Sequence, residues 1–132
     1  MIHEEICTYE VCKLAKEKGF DGSGCLKHYD QNGLLRSNRS FSRFDLTIDE
    51  LYKHDASSEV QVYAPTQSLL QRWLREEKFI DIEIYPIFIN GVKVYTACMY
   101  APNLNKPKKF NYFDTYELAL EDALKYALEN LV

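Results

Sequence analysis

Apolar residues recur along this chain at two intervals, and the switches between them mark out its elements. From Tyr9 to Lys18, Val11, Leu14 and Ala15 share one face of a helix, while Glu10, Lys13, Glu17 and Lys18 fall largely on the other. Thr8 is placed to cap it, its hydroxyl accepting an otherwise unpaired N–H of the first turn. Gly19 offers a left-handed residue to close the helix, and Phe20 can fold back on the apolar face. After the loop DGSG, the stretch CLKHYDQNGLLR predicts a hairpin that turns at Asp30 to Gly33. Between residues 36 and 58, Thr47 and Glu50 have capping-box spacing, which predicts a short helix ending near His54. EVQVYAP then alternates and predicts a strand stopped by Pro65.

The second half reads more clearly. Thr66 is placed to cap a helix running through Glu77, with Leu69, Leu70, Trp73 and Leu74 as its buried stripe. Gln67, Gln71, Arg72, Arg75 and Glu76 face water in this reading, with Arg72 and Glu76 spaced for a surface pair. From Phe79 the period changes to two: Ile80, Ile82 and Ile84 point one way, Asp81 and Glu83 the other. Asn90-Gly91 is the strongest hairpin signal in the chain, since both residues tolerate positive φ. A two-residue loop there pairs Ile89 with Val92, Ile84 with Ala97 and Ile82 with Met99. Tyr95, Ala97 and Met99 then join the isoleucines on a core face. A last helix starts at Asp114 or Thr115 and carries Tyr116, Ala119, Leu120, Ala123, Leu124, Ala127, Leu128 and Leu131 on one side. The order α-β-β-(α)-β-α-β-β-α predicts an α+β fold, an antiparallel sheet with helices packed on one face, forming a single domain over residues 1–132.

Composition agrees with a folded chain. Its 132 residues are 46% apolar and 14% aromatic, enough to exclude a mainly disordered polymer and to bury a core without disulfides or metal. The net charge of −4 gives the whole molecule no attraction for a polyanion. MIHEEICTYEVCKL has no basic start followed by an apolar run, so no secretory signal is expected. The apolar tract Ile80 to Tyr100 is broken by Asp81, Glu83, Asn90 and Lys93, which predicts no membrane span. Cys7, Cys12, Cys25 and Cys98 lack any C-x-x-C spacing and read as reduced thiols, several of them buried.

Candidate chemistry is sparse. His3, His28 and His54 form no metal-binding pair, and Cys7 and Cys12 straddle a helix start at a spacing unlike zinc sites. His28 and Asp30 would share a strand face and could make an acid–base pair; the plainer reading is two exposed polar residues at a hairpin tip. GFDGSG has the glycines of a phosphate loop but leads into a strand pattern rather than a helix. No serine sits in a nucleophile elbow. The expectation is therefore a non-enzymatic protein with no cofactor and no metal.

Two kinds of contact surface remain. Arg36, Arg39 and Arg43 lie in an acid-free segment with Phe41 and Phe44, and Lys106, Lys108 and Lys109 in another with Phe110 and Tyr112. Cations among aromatics can hold phosphates and stack bases, so these segments support a nucleic-acid-binding alternative. The other surface is apolar. Ile87, Ile89, Val92 and Val94 fall on the hairpin face opposite the isoleucines. They are either covered within the monomer or form a patch for a protein partner or a homodimer.

TYEVCKLAKEKGF, APTQSLLQRWLREE and FDTYELALEDALKYALENL together resemble a family of small proteins encoded by phages, prophages and mobile elements of anaerobic gut bacteria. The resemblance covers most of the chain in the right order, with residues 21–62 matching less clearly. It implies a bacterial cytoplasm and phage-linked biology, and assigns no functional residue. The region Phe79 to Leu131 also resembles antitoxins of the HicB type, in which three strands precede a helix and the domain inhibits a small RNA-cleaving toxin. It departs from them in having no glycine-rich strand start and no DNA-binding tail. The reading that follows is a small protein-interaction domain, with the nucleic-acid accessory protein and the HicB-like antitoxin as alternatives.

Overall fold

A computed structural model describes residues 4–37 and 60–132. The helix expected at Thr47 to His54 lies outside the described residues, as do Arg39 and Arg43. The elements are α1 (Tyr9–Glu17), β1 (Lys27–Asp30), β2 (Leu35–Ser37), β3 (Val60–Tyr63), α2 (Gln67–Lys78), β4 (Asp81–Ile89), β5 (Val92–Tyr100), β6 (Lys108–Lys109) and α3 (Tyr116–Asn130). This is an α+β fold. Its strands form two antiparallel sheets, ordered β2-β1-β3 and β4-β5-β6, where the hydrophobic pattern suggested one. β6 lies inside the stretch that the same pattern treats as loop, because two lysines carry no strand period. The chain gathers into two compact units, Ile6–Pro65 and Thr66–Val132 together with Met1–Glu5.

In the first unit, Thr8 caps α1 by accepting from the Val11 N–H at 3.3 Å. Gly19 closes the helix at φ 102°, and the Phe20 N–H donates back to the Ala15 carbonyl at 2.9 Å. That turn returns the buried Phe20 ring to the side of Val11, Cys12 and Ala15, also buried. Lys16 ties α1 to β3, donating from Nζ to the Gln61 carbonyl at 3.0 Å. Tyr29 packs edge-on against Tyr9, ring centroids 5.3 Å apart, and donates its hydroxyl proton to the Cys7 carbonyl at 2.8 Å.

In the second unit, Thr66 caps α2 by accepting from the Leu69 N–H at 3.1 Å, and Leu70 and Leu74 are fully buried. Gln67 was expected to face water and is instead buried. Its amide donates to the Glu117 carbonyl and to Glu121 Oε1, both at 2.9 Å. The first turn of α2 lies against α3, and a buried amide with both donor hydrogens used carries little penalty. Trp73 is only half-buried, with Lys78 Nζ 5.3 Å above its ring. The surface pair Arg72–Glu76 forms as expected at 3.1 Å. Thr115, not Asp114, caps α3, its hydroxyl accepting from the Leu118 N–H at 3.1 Å. Ala119, Leu120, Ala123, Leu124, Ala127 and Leu128 are all buried, and α3 packs on β4 and β5. The expected face is therefore present, except that Tyr116 at its start remains exposed.

Helix α2 ends on Phe79, at φ 58° and 69% exposed, while the Ile80 N–H reaches back to the Leu74 carbonyl at 3.0 Å. A left-handed residue with a Cβ is strained by about 1–2 kcal/mol, and the outward Phe79 side chain recovers little of that. Phe79→Gly should lose no stability and gain up to about 1 kcal/mol in denaturant unfolding; a loss would show that the ring is held. Gly22 is the opposite case. At φ 85°, an added Cβ would lie 2.2 Å from the Tyr63 ring. Gly22→Ala should destabilise the protein by about 2 kcal/mol or more, measurable as a lowered denaturation midpoint.

Candidate functional site

The Asn90–Gly91 turn has φ of 50° and 78°, and the pairing runs unbroken from Ile89↔Val92 through Ile84↔Ala97 and Ile82↔Met99 to Asp81↔Tyr100. This is the register read from the sequence. Ile82, Ala97 and Met99 are buried on the face that receives α3. Ile87, Ile89, Val92 and Val94 lie together on the other face. Val92 is 60% exposed and Ile89 40%, with Ile87 and Val94 half-buried. Phe88, which sequence reasoning did not single out, projects from the helix-side face and is 68% exposed. Its signal was available: an aromatic at an alternating position beyond the last buried isoleucine. Tyr95 on the same face packs edge-on against Tyr116 at 6.1 Å. The distal half of the hairpin is thus an arm with apolar side chains open on both faces.

Backbone directions follow from hydrogen bonds on the far side of β5. Tyr95 exchanges bonds with Phe113 at 2.8 and 2.7 Å, and the Ala97 carbonyl accepts from the Phe110 N–H at 3.1 Å. Odd-numbered residues of β5 therefore turn their backbone groups toward the β6 side and even-numbered ones toward β4. By the register, Ile82, Ile84, Pro86 and Phe88 direct theirs away from β5. The Ile82 carbonyl accordingly accepts from Gln71 Nε2 at 2.8 Å. Pro86 fits within β4 because the N–H it lacks would point outward.

The basic residues fall in different surroundings. Arg36 Nε donates to Asp30 Oδ2 at 2.6 Å. Lys108 Nζ sits 5.2 Å from the Phe110 ring centroid and 4.7 Å from that of Tyr126. Both cations thus have intramolecular neighbours for their charge, while Lys106 and Lys109 are exposed. A groove of about 380 Å³ lies between this segment and α3, lined by Lys109 and Lys125 but also by Asp122 and Glu129.

No reactive group gathers on the described surface. Burial, aided by the Asp21 carboxylate, pushes the Cys25 thiol up to about 12, leaving it a poor nucleophile at neutral pH. On the arm's own sheet, a hydrogen bond with Cys98, with the charges of Cys98 and Glu83 adding to it, pushes the Tyr100 hydroxyl up to about 12. Among the described residues no three of His, Cys, Asp or Glu are placed to hold a metal ion, and no helix is long and apolar enough to cross a membrane. No family model matches the chain, and no curated protein or solved structure does either.

His28 and Asp30 do share a face of β1, but both are buried rather than exposed at a hairpin tip. Asp30 organises the turn it begins. Its Oδ1 accepts from the Asn32 and Leu34 N–H groups at 2.8 and 3.0 Å, while Oδ2 takes Arg36. These bonds, the Arg36 one foremost, hold its carboxyl below the ordinary aspartate value. A depressed pKa adds stability above the unfolded-state value and loses it as pH falls through the folded one. Wild type should therefore lose stability on acidification below about pH 4, and Asp30→Asn should show a flatter profile there when unfolding midpoints are followed against pH.

Proposed function

We propose that the protein acts by binding another protein through the distal half of the β4–β5 arm. One observation carries this reading: large apolar side chains, Phe88 and Val92 foremost, stay open on both faces of a rigidly registered hairpin. Burying one such side chain contributes about 1.5–3 kcal/mol, whereas association costs on the order of 4–15 kcal/mol in lost freedom. A single exposed residue could not hold a partner. The run Ile87, Phe88, Ile89, Val92 and Val94 is long enough to do so. A bacterial cytoplasm and phage-linked setting go with this proposal on the strength of the sequence resemblance.

A second reading, the HicB-type antitoxin, draws on the order of β4, β5, β6 and α3 over Asp81–Asn130. In it the partner is a small RNA-cleaving toxin. Val92→Asp tests the arm under either reading. At an exposed position it should shift unfolding by no more than about 0.5 kcal/mol while abolishing capture of the partner that wild type retains from its native cell. Unfolding would mark Val92 as core, and unchanged capture would remove the arm from the contact.

A further inference from the structure

We propose that the outer edge of β4 takes a second copy of this chain, the two strands pairing antiparallel about a two-fold axis at Ile87. The inference rests on the reading of the arm as a contact element and names one occupant for its edge.

Among the described residues β4 pairs on one side only. Unpaired edges recruit strands unless charge, proline or a covering group blunts them. Here charge and a covering group are confined to the proximal half, where Gln71 occupies the Ile82 carbonyl and Asp81 and Glu83 flank it, and Pro86 alone interrupts the outward donors of the distal half. From Ile84 to Val92 the chain has no charged residue. Phe88 and Ile84 still direct a donor and an acceptor outward, and Pro86 an acceptor.

Backbone groups and charge sort the registers open to two copies. Centring on Ile84 brings the second strand onto Ile82, whose carbonyl Gln71 occupies. Centring on Pro86 sets two residues without an N–H face to face, and centring on Phe88 leaves only residues 86 to 90 to overlap, so the odd-numbered centres remain. Pairing centred on Glu83 sets that carboxylate against its own copy. Pairing centred on Tyr85 sets Asp81 and Glu83 against Ile89 and Ile87. Pairing centred on Ile87 sets Ile87 against Ile87 and Tyr85 against Ile89, and carries Glu83 level with Gly91 of the turn and Asp81 beyond it. A two-fold contact needs one self-complementary patch, and the neutral centre with acids at the outer ends supplies it. In this register each Phe88 N–H meets the Pro86 carbonyl of the second copy, and Ile84 faces Asn90. The donor that Pro86 lacks would have met a Phe88 carbonyl two residues from the turn, where water reaches it. Pairing also joins Ile87, Ile89, Val92 and Val94 of both arms into one apolar face, the surface assigned above to a protein partner.

The test is sedimentation equilibrium on the full chain, comparing wild type with Pro86→Ala, Phe88→Pro and Phe88→Ala. Wild type should dimerise. Pro86→Ala restores two outward donors per dimer and should tighten association on the order of tenfold or more. Phe88→Pro removes the outward N–H without touching the β4–β5 ladder. It should weaken the dimer by at least about tenfold beyond Phe88→Ala, which controls for the lost ring. Pro86→Ala keeps the test open if Phe88→Pro misfolds. A monomer in both wild type and Pro86→Ala at the highest attainable concentration overturns the proposal, as does a dimer indifferent to Pro86→Ala and Phe88→Pro. If edge pairing fails while Val92-dependent capture persists, the second copy falls and the arm reading stands. If Val92→Asp changes no capture but the edge variants shift the dimer as expected, the reverse holds.

Discussion

Asn90 and Gly91 both take positive φ, and the two-residue turn they form sets every pairing between β4 and β5. Because strand side chains alternate, slipping β4 by one residue against β5 would turn Ile82 and Ile84 away from α3 and send Asp81 and Glu83 toward it, while Ala97 and Met99 stayed in place. The turn therefore decides which face α3 covers. It also decides which backbone groups of β4 remain unpaired, and hence that Pro86 falls where no ladder bond is lost. The core of this unit and the surface proposed for its partner are two consequences of one local geometry.

Three buried polar groups follow a second rule, each placed where its bonds are met. Asp30 begins the β1–β2 turn and binds two backbone N–H groups and Arg36. Gln67 enters the α2–α3 contact with both amide hydrogens engaged, and Thr96 donates its hydroxyl proton to the Phe110 carbonyl at 2.9 Å. In each case the polar residue joins elements that apolar packing alone would leave free to slide. These three polar residues join neighbouring parts of the fold, and the turn that Asp30 organises accounts for its burial.

The arm differs from the rest of the second unit in what covers it. Where α3 lies over the sheet, Ala97 and Met99 have no exposed surface at all. Past Tyr95 the apolar residues continue, with Phe88 on one side and Val92 on the other. Tyr116, at the start of α3, is already exposed. An apolar strand that outruns its helix is inexpensive to build from a tight turn and leaves surface for another chain.

Helix caps, the left-handed stop at Gly19, both hairpins and the alternation of β4 were all legible in the sequence, because each depends on residues within a few positions of one another. The placement of Ile87, Ile89, Val92 and Val94 on a shared face was legible for the same reason. Other features were decided only by tertiary structure. The burial of Gln67 needs α3, fifty residues away. β6 exists because β5 offers it an edge, not because Lys108 and Lys109 favour a strand. The division of strands between two sheets depends on β3 returning to β1 across the segment that separates them. Local periodicity determines which face a side chain takes; what meets that face is set by pairings between distant parts of the chain, which no short-range pattern encodes.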